Sequence, residues 1–441
     1  MIYMYKIDKI STDENLELKR LLCEIRAKNG LPPEEPIFTS RINDWNRSDR
    51  IGFPFDNPHP SWKMSTEKML AMQIEPGKKS KKKDIGAQKE LSRKGKKSAK
   101  IEEKTPIKKE TKVKQEDIIH RGPFSGKLSL IQSTYGNKGN FELIVPLATG
   151  GLAHYARNND VEELPWSGPA RFGHEAGLID GVSMIQSDFG ASGNLEVVAV
   201  DSGGHNLLHF WRDSGPSFDW HGPLNISEKS IVPVFSGNPA MIWSNLGLRG
   251  NYDVVVPRTN GSFAHYWRDN DDSALPWHGP FEFAKDAGTF NAVTLIQSNF
   301  GEPGNLELIA RFEDKLAFFW RDSGSEFKWS GPEIIATGAA GTPSMIQSTF
   351  GNKGNFELVV PMASGGLAYY WRDNDNDRLS WHGPLMFGMN LGKIESVALI
   401  QSNFGIPGHL ELAAQSEGQV AFFWRDSGPD FRWNGPQYLT V

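Results

Sequence analysis

The sequence predicts an all-β fold, a β-propeller of four-stranded blades, on three observations. The stretch at 344–384, SMIQSTFGNKGNFELVVPMASGGLAYYWRDNDNDRLSWHGP, is rewritten along the chain. Cognate copies begin at Ser129, Ser183, Ala240, Thr294, Ser344 and Ala398, at intervals of 54, 57, 54, 50 and 54 residues, a period that marks a propeller or a related β array. Each copy holds four strand-like segments separated by turn residues, the content of one blade. Finally, the third segment carries large rings on both faces, which suits a sheet covered on both sides better than a one-sided sandwich.

Taken in order, the first segment of a copy is S-x-I-Q-S, a short strand. F-G-x-x-G-N follows, with glycine supplying positive φ in a hairpin turn. The second strand, x-E-L-V-V, is near-continuously apolar, as expected of a strand buried on both faces. The third ends in Y/F-W-R-D; in the fifth copy Leu367, Tyr369 and Trp371 lie on one face and Ala368, Tyr370 and Arg372 on the other. The fourth carries W-x-G-P.

The copies alternate. The first, third and fifth read ARNNDVEELPW, WRDNDDSALPW and WRDNDNDRLSW, whereas the second, fourth and sixth read WRDSGPSFDW, WRDSGSEFKW and WRDSGPDFRW. The repeating unit is therefore a pair of blades used three times, which favours six blades. A fragment at 120–124, HRGPF, resembles an orphan fourth strand; it allows seven, as an extra closing strand or the relic of another blade.

Three domains are expected: an N-terminal segment at 1–75, a linker at 76–117 and the propeller at 118–441. In the first, Ser11 and Glu14 have capping-box spacing. Leu18, Leu21, Leu22 and Ile25 then form an apolar stripe, and Asn29-Gly30 followed by Pro32-Pro33 ends the helix. Cys23, the single cysteine, sits on that helix as a small core residue and excludes an intrachain disulfide. Between Gly77 and Glu116 sixteen Lys or Arg face six Asp or Glu. With almost no aromatics this stretch cannot repay its ordering entropy and reads as a disordered, Lys-rich tether; its basic runs also suit nuclear import or adhesion to anionic surfaces. The whole chain carries −5, so the remainder sums to −15 and is not a nucleic-acid platform by charge. The N-terminus meets charge too early for a secretion signal, and no run reaches membrane-spanning length. A soluble chain is expected, cytoplasmic or released non-classically, and nuclear if the source is eukaryotic.

The S-x-I-Q-S, F-G-x-x-G-N, W-R-D and W-x-G-P segments, repeated in register over residues 118–441, resemble the PLL-like β-propeller lectins, the Photorhabdus-type lectins of bacteria. That resemblance implies a multivalent lectin for fucose-type or O-methylated sugars, with sites repeated around the ring and no catalysis. Family members have seven blades; this chain shows six full repeats.

A sugar site needs an aromatic plate for the C–H face of the ring and fixed polar groups for its hydroxyls. The W-R-D tryptophans Trp211, Trp267, Trp320, Trp371 and Trp424 stand beside Arg212, Arg268, Arg321, Arg372 and Arg425. The W-x-G-P tryptophans Trp166, Trp220, Trp277, Trp329, Trp381 and Trp433 form a second set. Either set serves as the plate or as packing between blades. Gln132, Gln186, Gln297, Gln347 and Gln401 suit sugar hydroxyls or backbone groups between strands. Two copies depart: Ala156 stands in place of a tryptophan and Trp243 in place of a glutamine. If the W-R-D tryptophan forms the site, the first copy should be defective and stay empty in sugar-soaked crystals.

No cofactor or metal is expected. The oxygen-rich loops at 269–272 and 373–377 lack the Gly and distal Glu of a calcium loop and read as solvated turns; the eleven histidines show no zinc-ligand spacing. Glu142, Glu196, Asp253, Glu307, Glu357 and Glu411 recur at one place in every copy, whereas a glycosidase needs a single carboxylate centre. W-R-D-S-G-P also lacks the order of a sialidase Asp-box. A protein-interaction scaffold is the main alternative. Near-identical repeats weigh against it, since several weak copies of a small-ligand site gain avidity. Glycans are the expected partners, with a homo-oligomer left open.

Overall fold

A computed structural model describes residues 123–439, except 325 and 429. The helix expected after Ser11, Cys23 and the basic linker lie outside the described residues. Within them are six antiparallel four-stranded sheets, each a meander of consecutive strands, at 129–172, 179–225, 240–283, 292–337, 344–387 and 394–438. The first strands of neighbouring sheets touch one another in sequence, and the sixth touches the first. The molecule is a six-bladed propeller with its first strands innermost.

Pro123 and Phe124, the described part of the fragment that allowed a seventh blade, have a different role. Phe124 makes only an isolated bridge to Leu147, at the end of the second strand of blade 1. Phe235 and Ala339 bridge Arg258 and Met362 at the same place before blades 3 and 5. Pro123 and Phe124 are thus the lead-in shared by odd blades, and their likeness to a fourth strand is compositional.

Burial on both faces follows from the stacking of blades. The second strands at Phe141–Pro146, Tyr252–Pro257 and Phe356–Pro361 are buried at every position. The core is divided among six clusters, each shared by two neighbours. Leu367, Tyr369 and Trp371 pack with Leu399, Leu412 and Phe423 of blade 6, while Ala368 and Tyr370, one residue out of phase, pack with Ile309 and Phe318 of blade 4. The seam cluster joins Phe141, Leu143 and Tyr155 to Val420 and Phe422.

Polar groups fasten the inner rim. The opening hydroxyls Ser129, Ser183, Thr294 and Ser344 accept from the backbone N–H of Met184, Met241, Met345 and Leu399 in the next blade, at 3.0, 2.9, 3.2 and 2.9 Å. Ala240 and Ala398 carry no such latch. Odd blades also reach forward: Lys127 and Thr342 form parallel bridges to Gly181 and Ser396, and Asn238 accepts from Val293 N–H at 3.2 Å. Each odd blade thus makes an added contact with the even blade that follows it.

Two glycine positions explain two motifs. A Cβ on Gly139 (φ 73°) would lie 2.3 Å from the Ser133 carbonyl oxygen, and one on Gly222 (φ 104°) would lie 2.7 Å from that of His209. The first closes the hairpin; the second brings the W-x-G-P strand against a register shift between His209 and Trp211.

Candidate functional site

Alternation along strands assigns each functional side chain to one side of its blade. The recurrent carboxylate pairs directly with the W-R-D tryptophan, as Glu357 does with Trp371 and Asp253 with Trp267, so both face the following blade. The arginine, one residue on, faces the preceding blade. Every interface therefore joins a carboxylate and a tryptophan from one blade to an arginine from the next. In the first blade the tryptophan is Ala156, paired with Glu142.

The six interfaces fall into two classes. Where an even blade meets an odd one, the arginine is buried on an aromatic ring of its own second strand. Arg157, Arg268 and Arg372 lie 3.8, 3.8 and 3.9 Å from the ring centres of Phe141, Tyr252 and Phe356. Their Nε groups donate to Asn159, Asn270 and Asn374 at 2.8, 2.7 and 2.8 Å. Where an odd blade meets an even one, the corresponding second-strand residues are Leu195, Leu306 and Leu410. The ring comes instead from the loop after W-R-D. Arg212, Arg321 and Arg425 lie 5.2, 4.8 and 4.8 Å from the centres of Phe218, Phe327 and Phe431, whose φ values of 58°, 46° and 45° are strained for a bulky residue. Phe218 and Phe327 are 49% and 44% exposed, which leaves a ring face at the surface above the half-buried Arg212 and Arg321.

Within the odd-to-even class the carboxylates are held differently. Glu142 bonds His154 Nε2 at 2.7 Å and accepts from Ser133 Oγ at 3.0 Å, and Arg212 lies 3.5 Å from the other nitrogen of His154. Asp253 bonds His265 at 2.7 Å and keeps a buried oxygen without a partner. Between blades 5 and 6 a tyrosine replaces the histidine: Tyr369 donates its hydroxyl to Glu357 and accepts from Arg425 Nη1 at 3.0 Å. Trp371 is 1% exposed and seals that interface. Between blades 1 and 2 a cleft of about 580 Å³ opens, walled by Tyr135, Ala156 and Phe218 and reaching Glu142 and Arg212.

Burial governs the electrostatics. It raises the Glu307, Glu357 and Glu411 carboxyls to about 7, against the pull of Arg372, Arg425 and Arg157 respectively. The same cost lowers Arg372 to about 10, against the pull of Glu307 and Glu333.

The sequence-predicted residues divide accordingly. The W-x-G-P tryptophans are wedged between blades. Trp220, Trp329 and Trp433 stack on Phe172, Phe283 and Phe387 at 3.8, 4.2 and 4.3 Å and within 3° of parallel. Trp166 stacks on Phe422 at 4.7 Å, while Trp277 and Trp381 meet His209 and Phe318 edge-on. Of the W-R-D set, Trp211 lies between His209 and His221, Trp267 stacks on His278 at 4.2 Å, and Trp320 stacks beside Phe318. Trp211, Trp267, Trp320 and Trp424 remain half-buried at their interfaces.

The glutamines serve the backbone between blades. Gln132, Gln186, Gln297, Gln347 and Gln401 accept from the N–H of Asn403, Thr134, Asn245, Asn299 and Thr349 of the preceding blade, at 3.0, 2.7, 2.6, 3.0 and 2.8 Å. The oxygen-rich loops hold backbone too: Asp271 and Asp375 accept from N–H groups of Leu248 and Arg249, and of Asn352 and Lys353, at 2.7–2.8 Å. Among the described residues no His, Cys, Asp and Glu cluster is arranged to hold a metal.

Sequence reasoning passed over Phe218, Phe327 and Phe431. Their mark is a phenylalanine in SGPSF, SGSEF and SGPDF at the place of Leu164, Leu275 and Leu379.

No family model and no curated protein matches the chain. Solved structures do. The BP39L lectin of Burkholderia pseudomallei aligns with TM-score 0.51 and 20% identity over 72% of this chain and 86% of its own. A fucose-specific lectin from Aleuria aurantia, itself a six-bladed propeller, aligns with TM-score 0.52 and 16% identity over 72% and 97%. AofleA from Arthrobotrys oligospora aligns with TM-score 0.51 and 12% identity over 73% and 88%. The fold is that of these lectin propellers.

Proposed function

We propose that the chain is a carbohydrate-binding lectin that takes fucose-type or O-methylated sugars at the interfaces where an odd blade meets the following even one. The observation that carries this reading is the exposed ring of Phe218 and of Phe327, with the half-buried Phe431 in register, beside an arginine of the same blade and a buried carboxylate of the preceding one. A ring face suits the C–H face of a pyranose, while the arginine donates and the carboxylate accepts from its hydroxyls. Three interfaces have this composition, and Trp371, 1% exposed, seals the one between blades 5 and 6, so two are open to a sugar by this design. Weak copies gain through avidity on a dense glycan surface. The fold shared with fucose-binding propellers supports the sugar class.

The W-R-D arginines of the odd blades are then structural, as are the W-x-G-P tryptophans; Arg212, Arg321, Trp267, Phe218 and Phe327 belong to the sites. A glycan array probed with the full chain, followed by titration calorimetry, tests this. Binding to fucosylated or O-methylated glycans is expected, with Phe327→Ala together with Arg321→Ala lowering the number of sites. Silence across the array would overturn the reading.

A further inference from the structure

We infer that the interface between blades 1 and 2 is a deeper site than the others, shaped for a glycan of two linked rings, and that Ala156 is the residue that makes it so. The inference rests on the sugar-binding reading above.

Five blades place an indole beside the interface carboxylate, at Trp211, Trp267, Trp320, Trp371 and Trp424. Ala156 stands there in blade 1, and its methyl group leaves a cleft of about 580 Å³ open down to Glu142. The sequence alone makes Ala156 a defect, whereas the structure turns the missing indole into volume. Pockets of roughly 300–1,000 Å³ hold drug-sized ligands, and a single pyranose is smaller than these, so a second linked ring has room beside the first.

The walls are specific to this interface. Tyr135 replaces Leu246 and Phe350 of the other odd blades. Its ring meets Phe218 edge-on at 6.5 Å, and Arg212 lies 5.3 Å from its centre. Arg321 and Arg425 donate Nε to the carbonyls of Phe327 and Phe431 at 3.1 and 2.9 Å. Arg212 Nε, itself buried, has no such partner, so this arginine is not tied to the carbonyl of its loop phenylalanine as the other two are. Glu142 and Arg212 balance in charge, so the chemistry selects a neutral polyol with apolar faces over an anion or a cation. His154, bonded to Glu142 and adjacent to Arg212, fixes the floor.

The test is titration calorimetry of the full chain with methyl α-L-fucoside and with the disaccharide Fucα1-6GlcNAc. The wild type should bind the disaccharide in one event about tenfold or more tighter than the monosaccharide. Ala156→Trp, with an unchanged thermal unfolding curve, should abolish that event and leave monosaccharide binding at the interface between blades 3 and 4. Ala156→Leu fills the same cleft with a smaller side chain and should weaken that event at least tenfold, so it decides the matter even if Ala156→Trp does not fold. Disaccharide binding as tight as the wild type's in a folded Ala156→Trp or in Ala156→Leu overturns this inference and leaves the lectin reading intact. Failure of the wild type to bind either sugar overturns both.

Discussion

The interface between blades 1 and 2 and that between blades 5 and 6 are built from one plan and end in opposite states. Each sets a carboxylate against the arginine of the next blade. In the first, Glu142 is held by His154, and Ala156 leaves the pair facing a cleft. In the second, Tyr369 joins Glu357 to Arg425 and Trp371 covers them. The same carboxylate and arginine thus work as a ligand wall or as a bolt between blades, according to the side chains beside them. A repeated motif therefore does not imply a repeated function.

The largest way to sharpen this contrast is to remove each carboxylate. Glu357→Ala removes the acceptor of the Tyr369 hydroxyl and the carboxylate beside Arg425, which is 3% exposed, and should cost about 3 kcal/mol of stability. Glu142→Ala leaves Arg212 with access to the cleft, so its cost in urea denaturation should be clearly smaller while sugar binding at that interface disappears. Equal costs would break the comparison.

Titration gives an intermediate effect. Folding lifts Glu307, Glu357 and Glu411 to about 7 from the ordinary 4.5. Between those values the folded chain holds protons that the unfolded chain releases, so these groups stabilise the fold fully below about pH 4.5 and lose that contribution as pH rises through 7. Thermal unfolding across this window should show a shallower pH dependence in Glu357→Gln than in the wild type.

The smallest effect concerns the clamp between blades 2 and 3. Trp243 replaces the glutamine used at the other five interfaces and donates its indole N–H to Arg249 O at 3.1 Å within its own blade. Trp243→Gln offers an acceptor to the N–H of Asp188 and should change stability by no more than about 1 kcal/mol, toward the stable side. A loss larger than that, measured by chemical denaturation, would show that the indole itself carries the interface.

Much of the fold was legible because its determinants are local and repeated. The two-sided third strand, the alternation of copies and the turn glycines each state a backbone requirement in residue types. Six blades followed from pairing; the fragment at 120–124 misled because R-G-P-F resembles a W-x-G-P strand in composition alone. The site was less legible. Which residue meets which depends on the face a strand presents and on the neighbour in space, so the tryptophans drew attention by size while Phe218, Phe327 and Phe431 did not. Ala156 shows the limit most clearly. A missing side chain reads as loss in one dimension, and only the surrounding walls turn it into space.

The seam between blades 6 and 1 is held by packed rings and by the bonds of Gln132 with Asn403 and of Asn403 with Lys138, and among the described residues no strand is exchanged across it. In a ring sealed only by side chains, chain order is a convention. The polypeptide could be opened between any two pairs of blades and rejoined at the seam without breaking a sheet. Two blades made alone would carry both halves of every junction they need, and three such pieces could assemble into the same circle.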